Sequence, residues 1–463
     1  MSRVWSLPFP PSGSPGTIRG GARGNLAEWL GILVSFELFF ALFLYSNSYK
    51  LMFNFKPPVD ETLVFAALSA LLAIPLLLRE GIYYRGLIVV VAFVLFAGWA
   101  AMSLGWTPSR TLAPAILRNL VTVIFWSVTG AALFLANDRA RCLRFLLWVL
   151  ALASFLAASG LAIYIIHGDF KSYMNLEEQT RAYNKWGYSV STGTLIAFVF
   201  ALHARLGSFR QFLFLSLFVI CVSFLFVGGS RGALLSTLTG CMACVFFMRS
   251  RITRQRFELP IAKLVSAAMA IGLVGFLVYA MVAGLDLQTV NRLEALISKS
   301  SNPDLILTRN RFFYYEKALE IIPLSPLVGQ GLGGYNIYVS AREAVGSHPH
   351  NILLEIAANL GLIGLALFFF MLWAAMRHAT LERLRTDPLL LCILCVFVTR
   401  FAAAMVSTQL IKHDILFAFV GLLCLRPKSS AASSDQQRLA TVVHRTGALF
   451  RRPLVAWYRG GRW

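Results

Sequence analysis

Long apolar runs are the feature that most constrains this chain. Runs of roughly 18 to 22 apolar residues recur along the sequence, and a helix needs about that length to cross about 30 Å of hydrocarbon. Hydrophobic residues make up 58% of the 463 residues and charged residues only 14%. That composition is too apolar for an ordinary soluble protein. The sequence therefore predicts an all-α polytopic membrane protein.

The apolar runs predict about twelve transmembrane helices. They lie near residues 26–46, 62–78, 86–104, 117–136, 145–166, 187–204, 211–228, 232–248, 264–284, 350–376, 389–406 and 414–425. The predicted transmembrane domain therefore covers 26–426. Residues 1–25, which are rich in Pro, Gly and Ser, predict a disordered tail, and the basic segment 427–463 predicts a second tail.

The positions of the basic residues predict the orientation. Short cytoplasmic loops carry an excess of Lys and Arg. With both termini in the cytoplasm, the inner loops collect most of the arginine clusters, such as Arg139, Arg141 and Arg144. The net charge of +21 then reflects contacts with anionic membrane lipids, so no nucleic-acid partner is expected.

One loop is long enough to form a module of its own. Residues 285–349 separate the ninth predicted span from the tenth, and the orientation places them outside the cytoplasm. Within them Phe312, Tyr315, Leu319 and Ile322 recur at helical spacing. The sequence therefore predicts a helical outer loop with one apolar face.

Two patterns resemble cofactor or metal motifs but lack the context that such motifs need. The pairs Cys241/Cys244 and Cys392/Cys395 lie inside apolar spans, where a thiol acts as a small hydrophobe. The glycines of 329–334 fit dinucleotide spacing, but prolines precede them where the motif needs a strand. We therefore expect no metal and no cofactor, and we expect a glycine-rich turn at 329–334.

Several arginines lie on the outer side, against the bias that sets the orientation. Arg231 lies in a glycine-bounded turn in which Ser230 can cap the next helix. Arg309 and Arg311 lie at the start of the loop helix. Such residues contact lipid phosphates or pair with nearby acids in many proteins. They are also the residues that bind a phosphate ligand.

His350 and Asn351 stand at the predicted start of span 350–376. A histidine here is structural in many proteins. Its usual pKa of about 6.5 also lets it accept a proton from a hydroxyl at neutral pH. Asn351 is a suitable helix cap, which would direct the positive end of the helix dipole at an anion.

Three strings taken together resemble the superfamily of O-antigen ligases and O-antigen polymerases. They are the turn Ser230-Arg231-Gly232, the run from Arg311 through Pro326-Leu-Val-Gly-Gln-Gly, and His350-Asn351 followed by Gly361 and Gly364. The order of the strings and the large outer loop after the ninth span extend the resemblance over most of the chain.

The resemblance implies a multi-pass enzyme of the bacterial inner membrane with a periplasmic active site. The implied reaction is an inverting, metal-independent transfer of an undecaprenyl-diphosphate-linked glycan to lipid A-core or to another glycan. Arg231 and Arg311 would hold the diphosphate, with Arg309 as a helper, and His350 would activate the acceptor hydroxyl. His348 is an additional histidine beside the motif, and Asn351 and Ser230 would support the site.

Alternatives remain open at this stage. Ligase is preferred over O-antigen or exopolysaccharide polymerase, and protein oligosaccharyltransferases share the same strings. Asp60 and Glu61 would suit a metal-dependent glycosyltransferase, and a transporter or flippase is the non-enzyme alternative. Loop 167–187 is either a specificity element or a solvated loop. Glu37 and Arg400 lie inside spans, and we expect them to pair or to line a lipid groove.

Overall fold

The computed structural model is built almost entirely of helices. It describes residues 34–53, 58–168, 176–205, 207–248, 251–253, 256–258, 303–340, 343, 347–407 and 409–427, with side chains left aside at 176–182, 251–258 and 303–310. The predicted tail 1–25, the predicted span 264–284 and nearly all of 427–463 lie outside these residues.

The helices are numbered here in chain order. They are α1 (Phe36–Phe53), α2 (Glu61–Glu80), α3 (Tyr84–Met102), α4 (Leu112–Leu135), α5 (Arg139–His167), α6 (Leu176–His203), α7 (Phe209–Val227), α8 (Arg231–Phe247), α9 (Pro303–Ile321), α10 (Gly334–Ser340), α11 (Ile352–Met376), α12 (Leu381–Thr386), α13 (Pro388–Ala404) and α14 (Asp414–Leu422). Within α4, Leu120–Ile124 and Gly130–Leu135 are π-helical. A short antiparallel hairpin pairs β1 (Arg251–Thr253) with β2 (Arg256–Glu258).

Six of the described helices are long and apolar enough to cross a membrane, namely α2, α3, α4, α5, α7 and α11, with α3 extended to Gly105. Two shorter apolar helices, α8 and α13, join them. The predicted helical membrane fold is confirmed, whereas the count of about twelve spans stays a prediction.

The first predicted span ends too early. The sequence predicts an end near residue 46, but α1 runs from Phe36 to Phe53 and includes a polar stretch that reads as a loop. The predicted start near residue 26 lies outside the described residues. Neighbouring helices satisfy these polar groups, since Ser48 bonds Ser189 at 2.7 Å and the Tyr49 hydroxyl donates to the Leu152 carbonyl at 2.7 Å. Polar residues inside a membrane helix are tolerated when another helix supplies their partners.

The sixth predicted span is also wrong at its start. The sequence predicts a loop from His167 to Gly187, but α6 already begins at Leu176. The side chains of Glu177, Glu178 and Arg181 lie outside the described residues. At the end of the predicted loop, Lys185 pairs with Asp414 and Trp186 is buried, so these two residues pack inside the bundle.

Ion pairs gather at one end of the bundle, which we call the ion-paired end. Arg139 binds both oxygens of Asp387 at 2.6 and 2.7 Å. Arg141 binds Glu80, and Arg144 binds the buried Glu37 at 2.7 Å. These ion pairs join four helices. They involve Glu37 on α1, Glu80 on α2, the three arginines on α5 and Asp387, which caps α13. The expected pairing of Glu37 with Arg400 is therefore wrong, because Arg144 binds Glu37 instead.

A glycine break interrupts α11 and is filled by another segment of backbone. Gly361 has φ +66°, and the N–H groups of Leu362 and Ile363 donate to the carbonyls of Pro326 and Leu327 at 2.8 and 3.1 Å. Gly329, with φ +69°, passes so close that a side chain there would lie 2.5 Å from the Asn359 backbone. The expected glycine-rich turn at 329–334 is confirmed, and Pro326 and Leu327 just before it supply the acceptors that the broken helix lacks.

The apolar face of the loop helix differs from the predicted one. In α9 the buried residues are Ala318 and Ile321, which pack against Tyr335 and Ala358. Phe312 and Leu319, which the sequence places on the buried face, are 69% and 61% exposed. The choice of contact face depends on what lies beneath the helix, and aromatic periodicity alone does not determine it.

Candidate functional site

The turn before α8 brings Arg231 to the end of the bundle opposite the ion-paired end. Gly229 has φ +75°, which lets the chain reverse tightly after α7. The Ser230 hydroxyl accepts the N–H of Ala233 at 3.4 Å and donates to Asn184 Oδ1 on α6 at 3.1 Å. Ser230 therefore caps α8, as predicted, and fixes the turn against α6. Arg231 itself is half-buried.

Tyr188 on α6 connects this turn to the rest of the site. A side chain at Gly232 would overlap the Tyr188 hydroxyl, so the phenol lies directly against the turn. Tyr188 hydrogen-bonds Ser407 and interacts electrostatically with Arg311. The guanidinium of Arg400 lies over its ring at 5.7 Å from the centroid. Tyr188 thus lies against the Arg231 turn and also interacts electrostatically with Arg311.

Arg311 is held by the packing of α9. The Tyr335 hydroxyl donates to the Tyr314 carbonyl at 2.7 Å, and the Tyr335 N–H donates to Asn359 Oδ1 at 3.1 Å. These bonds tie α9 and α10 to the segment of α11 just before its break. The half-buried Arg311 side chain therefore projects from a helix with a fixed position.

His350 lies at the start of α11 in a left-handed conformation, with φ +53°. Such a conformation costs a non-glycine residue about 1–3 kcal/mol and is maintained only where the surroundings determine it. The next residue, Asn351, caps α11 by accepting the N–H groups of Leu353 and Leu354 at 3.0 and 3.1 Å. The predicted cap is confirmed, and it fixes the backbone from which the imidazole projects.

The environment of His350 opposes a positive charge on its ring. Burial, together with the charges of Arg311 and Lys412, lowers the pKa of His350 to about 4. The ring lies 4.0 Å from that of His348 and 5.8 Å from that of Tyr314, measured between centroids. At neutral pH the imidazole is therefore uncharged, which is the form that accepts a proton.

A turn that the sequence did not single out completes this end of the bundle. The backbone N–H of Leu410 donates to Glu355 Oε2 at 2.9 Å, and Lys185 on α6 lies 3.2 Å from Asp414. Lys412 lies between these two anchors. No local sequence pattern identifies these residues, because they come together only in the folded structure, from helices far apart in sequence.

The structure thus brings most of the predicted site residues to one end, which we call the His350 end. Arg311 interacts electrostatically with His350 and Tyr188, the Tyr188 hydroxyl lies against Gly232 next to Arg231, and His348 lies beside His350. Ser230 and Asn351 act as helix caps. The Arg309 side chain lies outside the described residues, although its backbone belongs to α9.

The acidic pair of the first outer loop has a structural role. Asp60 caps α2 by accepting the N–H of Thr62 at 2.9 Å, and it forms an ion pair with Lys50 at 2.7 Å. Among the described residues, no three or more His, Cys, Asp or Glu side chains are grouped so that they could hold a metal ion.

The cations and the histidine at the His350 end can act on a phosphate and on a hydroxyl. Guanidinium and ammonium groups bind phosphate oxygens, and an uncharged imidazole accepts a proton from a hydroxyl. Residues 216–369 match the family model Wzy_C, described as O-Antigen ligase. The matched segment, about a third of the chain, is similar to the O-antigen ligase family.

The O-antigen ligase match contains all three strings on which the resemblance rests, together with Arg231, Arg311 and His350. Together with the six long apolar helices, the match is consistent with a multi-pass membrane protein. Lys185, Tyr188 and Lys412 lie outside the matched segment. The chain has no match among curated proteins.

Proposed function

We propose that this protein transfers a glycan from an undecaprenyl-diphosphate carrier to the hydroxyl of lipid A-core, at the periplasmic face of the bacterial inner membrane. The observation that carries the proposal is that Arg311 interacts electrostatically with both His350 and Tyr188, whose hydroxyl lies against the Arg231 turn. The set combines phosphate-binding cations with a neutral proton acceptor. The family match supports a lipid-linked glycan as donor.

The proposed reaction is a single displacement. The acceptor hydroxyl gives its proton to His350, and its oxygen bonds to the anomeric carbon of the donor sugar. The bond between that carbon and the diphosphate oxygen breaks, with inversion, and undecaprenyl diphosphate leaves with the electron pair. Arg231 and Arg311 would stabilise the negative charge that develops on the departing oxygen.

The lowered pKa of His350 fits this order of events. With a pKa of about 4, the free enzyme holds a neutral but weak base. A bound diphosphate would offset the charges of Arg311 and Lys412 and so raise the proton affinity of the imidazole. His350 would then become a stronger base only when the donor is in place.

The test is the lipopolysaccharide profile of a deletion strain complemented with variants. Arg231→Ala, Arg311→Ala and His350→Ala should each fail to restore the O-antigen ladder, while lipid-linked polymer accumulates. Lys317→Ala is the matched control, because Lys317 is on the same helix as Arg311 and is paired with Glu320 at 2.6 Å. It should restore the ladder.

Other profiles would point elsewhere. A core that carries one repeat unit would indicate a polymerase of the same superfamily, working with the same donor site. An unchanged profile in the deletion strain would contradict the ligase proposal. It would direct attention to exopolysaccharide, protein glycosylation or transport.

A further inference from the structure

The turn between α13 and α14 is unusually buried for a connection between helices. Gln409, Leu410, His413 and Asp414 are at most 6% exposed. Connecting segments normally lie on the surface, because their backbone groups need water as a partner. Here Lys412 is the exposed side chain of a turn whose other polar residues are buried.

A buried carboxylate holds one side of this turn. Glu355, which is 7% exposed, accepts the N–H of Leu410 through Oε2 at 2.9 Å. Glu355 lies in the first turn of α11, and its own N–H donates to the carbonyl of Asn351 at 2.9 Å. One hydrogen bond therefore links the helix start that carries His350 to the turn that carries Lys412.

A second carboxylate holds the other side. Asp414 interacts with Lys185 through both oxygens, at 3.2 and 3.3 Å, and its Oδ1 also accepts the N–H of Ile415 at 3.0 Å. Two carboxylates thus fix the backbone on either side of Lys412. Lys412 interacts electrostatically with both His350 and Glu355, so the anchored turn brings its charge to the start of α11.

We propose that Lys412 is a third cationic ligand for the donor diphosphate and that Glu355 is the residue that positions it. This inference rests on the proposed function and adds a group from outside the segment that matches the O-antigen ligase family. Lysine binds phosphate as a compact charge on a flexible stem, so it can follow the diphosphate as the reaction proceeds. Glu355 acts through the turn and does not touch the donor.

The binding test uses the full-length protein in nanodiscs and undecaprenyl diphosphate as the probe. Lys412→Ala should weaken binding about tenfold, which corresponds to about 1.4 kcal/mol, and should reduce the salt dependence of the dissociation constant. Lys412→Arg should retain most of the affinity, because the charge is kept. Lys317→Ala again serves as the control and should bind like the wild type.

Glu355 is tested through the turn that it holds. Glu355→Gln keeps an oxygen acceptor for the Leu410 N–H and should retain the donor KM, whereas Glu355→Leu should raise the donor KM as Lys412→Ala does. The double variant Glu355→Leu/Lys412→Ala should be no worse than Lys412→Ala alone, because both changes remove one interaction. A purely structural Glu355 would instead lower the unfolding temperature and leave the donor KM of the folded protein unchanged.

The outcomes separate this inference from the proposed function. If Arg311→Ala loses affinity for undecaprenyl diphosphate while Lys412→Ala binds it like the wild type, the inference is overturned and the function stands. If Lys412→Ala loses affinity only for nanodiscs rich in phosphatidylglycerol, the lysine serves the lipid surface and the inference also fails. If the wild-type protein binds undecaprenyl diphosphate no better than undecaprenol, the function and the inference fall together.

Discussion

The two ends of the helical bundle use arginine in different ways. At the ion-paired end, Arg139, Arg141 and Arg144 each bind a carboxylate from another element of the bundle. At the His350 end, burial first and then the charges of Arg311 and Lys412 lower the pKa of His350. Arginines that bind carboxylates join helices, whereas cations that oppose the protonation of a histidine favour the binding of an anion.

The two ends also differ in the groups that their cations bind. Its partners are protein carboxylates, one of them the buried Glu37, and removal of an arginine there leaves a buried charge without compensation. At the His350 end, Glu355 accepts the backbone N–H of Leu410, and Asp414 binds the backbone N–H of Ile415 and the Lys185 ammonium group. We therefore expect mutations at the first end to affect folding and mutations at the second to affect turnover.

The largest expected contrast comes from one alanine substitution at each end. Arg311→Ala should lower transfer by about 100-fold, because a group that stabilises charge in the transition state is lost. Arg144→Ala should lower the free energy of unfolding by about 1–3 kcal/mol, a value reduced by the partial exposure of Arg144, and leave turnover of the folded protein near normal. Transfer by purified protein and thermal unfolding measure the two effects. Normal turnover in Arg311→Ala, together with reduced turnover in folded Arg144→Ala, would contradict the assignment of catalysis to the His350 end.

A smaller effect is expected at the glycine break that supports the His350 end. Gly361→Ala should lower the free energy of unfolding by about 1–3 kcal/mol, because alanine disfavours φ +66° and its methyl group would overlap the Leu327 carbonyl. Gly98→Ala is the control, since a methyl group there meets nothing within 4 Å. It should change the stability by less than about 0.5 kcal/mol. Equal melting temperatures for the two variants would mean that the 326–329 segment does not pack against the break in α11.

The sequence predicted the fold class well and the boundaries less well. Hydropathy locates spans because the bilayer sets their length, so helices such as α2 and α3 begin within two residues of the prediction. It fails at α1, where Ser48 and Tyr49 read as loop residues, because their partners lie on α5 and α6. Local sequence contains no information about those partners.

The site was predictable only in part for a similar reason. Arg231, Arg311 and His350 stand in strings that resemble a known family, so the sequence identifies them. Tyr188 and Lys412 have no local pattern, and only the packing of α6 and of the 409–414 turn brings them to the His350 end. The predicted face of α9 was wrong because Tyr335 and Ala358, which lie beneath it, select Ala318 and Ile321.

The smallest expected effect is a shift in the pH dependence of kcat/KM, which should occur for a variant at the His350 end and not at the ion-paired end. The pKa of His350, about 4, predicts that kcat/KM of the wild type falls only as pH drops towards that value. Lys412→Gln removes a charge that opposes protonation, so the pKa of His350 should rise towards its usual value of about 6.5. More of the imidazole is then protonated at pH 5.5, and the variant should lose activity there relative to pH 7.5.

The control for this shift is Lys317→Ala. The fall of its kcat/KM at acidic pH, the acidic limb of the profile, should coincide with that of the wild type. An acidic limb that stays in place in Lys412→Gln, or moves to lower pH, would show that Lys412 does not act on His350. The same titration of Arg144→Ala should leave the limb unmoved, because that arginine lies at the ion-paired end.

The central claim is that cations at the His350 end bind the donor and that His350 accepts the proton. The most direct measurement is donor binding and single-turnover transfer in the same samples of purified His350→Ala, with His378→Ala at the other end of α11 as control. The account predicts that His350→Ala binds undecaprenyl-diphosphate-linked glycan like the wild type but transfers it at least about 100-fold more slowly. Transfer by His350→Ala at the rate of the wild type would contradict the account.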